Sequence, residues 1–192
     1  MIANRHIIDT QKVSSLNLGQ VATAVAGAIK SAPRLGDLSV RELASMSVTG
    51  DDPVGIYIFG DESGNILYLG KTHGRSLHER MVSHLDSREP IVGSPHLAQF
   101  VSSQVKVNPD ITRSEAVENI LNMRMLWLPI PKGKTATSEY KKKVALTERK
   151  LLWRKSLNPR FNSPRVKTNS SITIAGERYE LEETMPLFTA CK

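Results

Sequence analysis

The chain has 192 residues, 40% of them apolar and 23% charged, which is ordinary for a globular protein with room for one domain, some additions and a real core. Its formal net charge is +7, a balance that favours nucleic-acid partners without requiring them. A single cysteine, Cys191, excludes an internal disulfide and a cysteine-based zinc site, so a reducing, cytoplasmic setting is expected, and no stretch reads as a secretory signal or a membrane span.

Residues 1–16 carry no periodicity. From Leu18 to Lys30, Val21, Val25 and Ile29 recur at helical spacing, and Pro33 and Gly36 break the pattern. Ser39 with Glu42 three residues on predicts the capping box of a second short helix, whose Val40, Leu43 and Ala44 would dock on something larger. A polar break at Gly50–Pro53 closes an N-terminal helical extension, residues 1–50.

GIYIF (55–59) and NILYLG (65–70) then flank DESG, the pattern of a hairpin. A symmetric loop would set Tyr57 opposite Tyr68 and Gly55 opposite Gly70. Alternation places Ile56, Ile58, Leu67 and Leu69 on a core face and both tyrosines on the other, under a gap that glycine leaves for a ligand. A helix from Ser76 to Leu85 buries Leu77, Met81 and Leu85 and carries Arg80 and His84 on an adjacent stripe. With Lys71 just past the second strand, this arrangement converges Tyr57, Tyr68, Lys71, Arg80 and His84.

Further on, Leu97–Val101 is expected as a helical turn and KVNPD (106–110) as a loop. Thr112 and Glu115 predict a capped helix to Asn122, and Met123–Ile130 a third strand. After a basic loop, the longest helix runs from about Ser138 to Leu157, with Val144, Leu151, Leu152 and Lys155 along one stripe. Glu148 falls inside that stripe. A carboxylate there needs a partner or a bound cation to offset its desolvation. Pro159 ends the helix, and SITIAGERYELEE (171–183) predicts a hairpin about Ala175–Gly176.

Taken in order, GIY at 55–57, YLG at 68–70, Lys71, Arg80 and His84 four apart, Glu148, and Asn162 three after Pro159 resemble the GIY-YIG nuclease superfamily. The resemblance covers Gly55 to Asn162. YLG for YIG keeps an apolar residue, and the stretch between His84 and Glu148 is long for the family. The resemblance implies an α+β fold, a small three-stranded mixed or antiparallel sheet flanked by helices. It places a nuclease core at 51–165, with an insertion at about 88–122 and a C-terminal hairpin and tail at 166–192. It also implies hydrolysis of phosphodiester bonds with one Mg2+ or Mn2+ held by Glu148. Tyr57 would take the proton from water, aided by Lys71 and the metal. Arg80 would grip the phosphate, His84 and Tyr68 would orient the nucleophile, and Asn162 would position Glu148 or the phosphate.

Each residue alone has a plainer explanation: strand aromatics for the tyrosines, an exposed helix face for Arg80 and His84, local pairing with Arg149, Lys150 or Lys155 for Glu148, a turn for Asn162. Their joint order favours a DNA endonuclease with duplex DNA as partner, its biological role left open. The N-terminal extension and the insertion fit a type II restriction enzyme, for which a homodimer would be expected. A DNA-degrading toxin or antiphage effector would read the same way. The rivals are a non-catalytic nucleic-acid-binding module on a degenerate nuclease fold and a protein-binding domain with an incidental motif.

Overall fold

A computed structural model describes residues 7–9, 12–13, 15–48, 54–72, 75–86, 99–130, 137–153, 157, 159–162, 171–174, 176–181 and 187. The expected break at 50–53, the basic loop at 131–136 and Lys155 lie outside these residues. The fold is α+β. Strands β1 (Gly55–Gly60), β2 (Ile66–Lys71) and β3 (Arg124–Pro129) form an antiparallel sheet in the order β2-β1-β3. Helices α1 (Leu18–Ile29) and α2 (Val40–Val48) precede it, α3 (Leu77–His84), α4 (Gln99–Val107) and α5 (Arg113–Leu121) separate β2 from β3, and α6 (Thr137–Trp153) follows. A small hairpin, β4 (Ser171–Ile174) and β5 (Glu177–Glu180), turns at Gly176, whose φ of 85° suits glycine.

The sheet is apolar on both faces, so both must be covered. On one, Ile56, Ile58, Leu69, Leu126 and Leu128 pack with Val21, Val25 and Ile29 of α1 and Val144 and Leu151 of α6. The expected stripe of α1 is thus part of the sheet's own core. On the other face, Tyr57, Phe59, Met125 and Trp127 pack with Leu77 and Met81 of α3, Phe100 and Val101 of α4, and Ala116 and Ile120 of α5. Among the described residues no helix is long and apolar enough to cross a membrane.

Both edges of the sheet are capped, which removes a template for stray pairing. Beside β3, Ile8 N–H donates to the Trp127 carbonyl at 2.8 Å and Met125 N–H to that of Pro33 at 2.9 Å. Beside β2, the segment after Pro159 acts as a short false strand. Phe161 N–H donates to the Leu67 carbonyl at 2.9 Å, and the Asn162 amide bonds both the N–H and the C=O of Leu69, at 2.8 and 2.7 Å.

Three expectations are corrected. The hairpin register is Tyr57 opposite Gly70 and Phe59 opposite Tyr68, not Tyr57 opposite Tyr68. The loop takes five residues, Asp61–Asn65, because the Asp61 carboxylate accepts from Asn65 N–H and Gly64 bends at φ 92°. A bulge between Phe59 and Gly60 adds one more residue, Leu67, on β2. The combined slip of two preserves the face of each tyrosine, whereas Leu67 moves to the tyrosine side.

Second, α4 runs on to Val107, past the single turn expected, since Phe100, Val101 and Val105 give it an apolar stripe that Ser102 and Ser103 obscure. Third, Val40 is 76% exposed at the first turn of α2 and docks on nothing described; Leu43 makes the contact instead. The capping boxes at Ser39–Glu42 and Thr112–Glu115 form as expected.

Candidate active site

Tyr57, in the middle of the central strand, is 2% exposed. Its ring leans over Gly70 on β2, where an added Cβ would lie 2.3 Å from the phenol carbon and oxygen. Gly55 likewise makes room for the Trp127 ring. The glycines therefore open no gap for a ligand, as the sequence led one to expect. They admit the two largest rings of the sheet. Gly70→Ala is expected to lower stability by about 2–3 kcal/mol through overpacking, roughly 5–10 °C in a chain of this size. An unchanged thermal midpoint would show that the ring does not need the space.

The Tyr57 hydroxyl shares a 2.7 Å hydrogen bond with Nε2 of His84. Two features fix that partner. Ser76 caps α3 reciprocally with Glu79, which sets the helix start, and Leu77 and Met81 anchor it to the sheet, so His84 one turn on points at β1. Burial holds the imidazole far down, to about 3, with the nearby Arg80 guanidinium adding to the effect. The same burial, with Tyr68 beside it, pushes the Tyr57 phenol well above its usual 10, and the opposing pull of Arg80 is smaller. Burial likewise raises Tyr68. Moving a proton from Tyr57 to His84 is thus uphill: burial disfavours both charged forms. In this state the pair is a neutral phenol and a neutral imidazole.

Because the folded value of His84 lies below the unfolded one, its contribution to stability is present above about pH 6.5 and is lost as pH falls toward 3. The thermal midpoint should fall between pH 7 and 5, and His84→Gln should flatten that slope. An equal slope in both proteins would show that other groups control it.

Lys71 ends β2 and reaches to the α6 side of the sheet. Its Nζ meets Glu148 Oε2 at 2.5 Å, with the side chains 27% and 13% exposed. Thr72, fully buried, braces the strand end: its N–H donates to the Gly55 carbonyl at 2.9 Å and its Oγ1 accepts from Gly55 N–H at 3.0 Å. The carboxylate that looked out of place in an apolar stripe therefore has a partner in Lys71, not in Arg149 or Lys150. Glu148 also raises both phenols electrostatically, and Arg80 lowers them, so both lie close to the tyrosine pair. Arg80 Nε is buried with no hydrogen-bond partner. An unpaired guanidinium donor beside two phenols has room in its chemistry for an anion.

Of the seven expected residues, Tyr57, Tyr68 and His84 gather on the tyrosine face, with Arg80 acting on both phenols. Lys71 and Glu148 pair on the α6 side, from which Glu148 also acts on both phenols. Asn162 stands apart from the carboxylate; it clamps the backbone of Leu69 and so holds β2, with Tyr68 and Lys71 on either side. One contributor was missed. Phe100 of α4 stacks on Tyr68 with centroids 4.5 Å apart, and lies 5.4 Å from His84 and 5.6 Å from Phe59. It closes over the tyrosine face. The stripe of α4 was the signal for it.

A divalent ion fits these residues only as a largely hydrated one. Among the described residues, no three His, Cys, Asp or Glu side chains gather as a metal group, and Glu148 is the single carboxylate in the cluster. Magnesium keeps several waters and accepts one or two carboxylates. No known protein family and no solved structure matches the chain.

Proposed function

We propose that this chain is a divalent-metal-dependent endonuclease that hydrolyses phosphodiester bonds in duplex DNA, with a GIY-YIG type of core. The observation that carries the reading is that Glu148, paired with Lys71, acts electrostatically on both phenols, and that Tyr57 is bonded to His84: residues from positions 57 to 148 form two linked polar pairs.

In this mechanism Glu148 would hold Mg2+ or Mn2+, which would supply an acidified water and charge neutralisation. Lys71 would have to leave the carboxylate for that. Replacing the Glu148 charge, which raises Tyr57, by a cation-bound carboxylate would oppose the burial that keeps Tyr57 protonated, so Tyr57 would take a proton from water only in the loaded site. His84, held neutral, orients the Tyr57 hydroxyl. Arg80 offers its unpaired donor to the scissile phosphate. Tyr68 packs against Tyr57 at 6.0 Å and Asn162 keeps its strand in place.

Supercoiled plasmid with Mg2+ or Mn2+ is the direct test. Nicked and linear products that EDTA suppresses are expected, and binding measured in EDTA should weaken steeply with salt. Intact plasmid under conditions of saturated binding would remove the activity. One observation favours a second reading, a non-catalytic nucleic-acid-binding module: the carboxylate is already neutralised by Lys71 and Tyr57 is buried. That module would bind the plasmid with the same salt dependence and leave it uncut.

A further inference from the structure

Two cavities flank the tip of the β1–β2 hairpin. The smaller, about 350 Å3, lies between that tip, α4, the end of α5 and the Arg160–Phe161 segment. We propose that it receives one unpaired base of a DNA substrate, stacked on Phe161. The proposal rests on the DNA reading above and adds a recognition site to it.

The floor is apolar, formed by Leu67, Met123 and Phe161. The Phe161 ring is held in place on both sides: its own N–H is bound to Leu67, Asn162 is clamped to Leu69, and the Phe100 ring meets it edge-on at 5.4 Å. The Arg160 guanidinium lies 5.7 Å from its centroid. The guanidinium lies over the ring and, on a flexible side chain, can swing aside toward a phosphate, leaving a fixed aromatic face that stacks a heterocycle at small entropic cost. The volume is at the lower end of small-ligand sites, enough for one base and its sugar.

The walls carry amides, which offer donors and acceptors together. Gln104, only 4% exposed, uses Nε2 on the Ala116 carbonyl at 3.2 Å, and Asn122 uses Nδ2 on that of Glu118 at 2.9 Å. Asn119 lines the same wall. Such groups read base edges. The two carboxylates at the rim are already occupied: Glu62 pairs with Arg34, and Asp61 accepts from Asn65. Arg160 remains as the cation at the mouth.

The position also suits a substrate strand. Leu67 at the cavity and Lys71 at the candidate active site are four residues apart on β2, about 13 Å. That is roughly four stacked base steps. The larger cavity, about 890 Å3, shares Asp61, Leu67 and Arg160 with the smaller and continues to Lys30, an open course for the adjoining sugar-phosphates.

The test is binding of the full chain in EDTA to two duplexes that differ at one position, a single bulged base or the same bulge made abasic. Wild type should prefer the base by about 10-fold or more, and Phe161→Ala should lose that preference while binding the abasic duplex as before. Should Phe161→Ala fail to fold, Asn122→Ala serves. It should keep a preference for base over abasic and bind the four bulged bases more evenly than wild type. Equal wild-type affinity for bulged and abasic duplexes would overturn the proposal. If plasmid is nonetheless cut, the nuclease reading survives that result; if no duplex binds at all, both fall.

Discussion

Glu148→Ala will abolish cleavage, by on the order of 10³-fold or more, and leave DNA binding within a few fold. Among the described residues it is the single carboxylate in the cluster, so none of these neighbours can replace it as a metal ligand. Binding should persist because the chain carries a net charge of +7, and removing one negative charge should tighten the complex. The fold should tolerate the change. Lys71 is 27% exposed, and once its partner is gone the ammonium can turn to water, so no charge is stranded in the core. Metal affinity, followed by Mn2+ titration, should vanish with activity. A Glu148→Ala protein that cuts at a wild-type rate would remove the metal assignment. One that binds Mn2+ normally but does not cut would shift Glu148 to another role.

Tyr57→Phe will reduce the single-turnover cleavage rate by about 10²- to 10⁴-fold, with little change in the fold. The ring is what packs over Gly70 and between Phe59 and Tyr68, and phenylalanine keeps it. What is lost is one hydroxyl and its bond to His84, about 1 kcal/mol of stability or somewhat more for the imidazole left unpaired. The effect on rate would exceed the effect on stability. That separation identifies a group used in the reaction rather than in packing. Retention of the wild-type rate would leave the neutral Tyr57–His84 pair as a structural bond and require another base.

Much of this arrangement was legible in the residues because its signals are local. Two-residue alternation gave the strands, and Ser or Thr three before Glu gave the starts of α2 and α5. Glu148 stood out because a lone carboxylate inside an apolar stripe is costly wherever the chain goes. What escaped depends on distant parts of the chain. The hairpin register needed the Asp61 turn and the Leu67 bulge, whose separate one-residue slips cancel for the tyrosines but not for Leu67. The tyrosine face looked open because its cover, Phe100, sits in a helix whose stripe is broken by serines. The ammonium on Glu148 comes from 77 residues away, and the partner of Asn162 is backbone, which leaves no mark in side-chain chemistry.

The buried state of the phenols also bears on how the site would turn on. Resting, it holds a neutral phenol, a neutral imidazole and a closed ion pair, and none of these attacks a phosphate. Under the proposed mechanism, Glu148 would exchange Lys71 for a divalent ion, and the field at Tyr57 would change in the same exchange. Cleavage should therefore rise with metal concentration only as far as the exchange proceeds.

The most direct measurement is single-turnover cleavage of an end-labelled duplex by wild-type and Glu148→Ala protein, with Mg2+ or Mn2+ in excess and both proteins shown to bind. The account predicts shortened products from wild type carrying 5′-phosphate and 3′-hydroxyl ends, and none from the variant. An uncut duplex fully bound by wild type would contradict it, as would equal cutting by the two proteins.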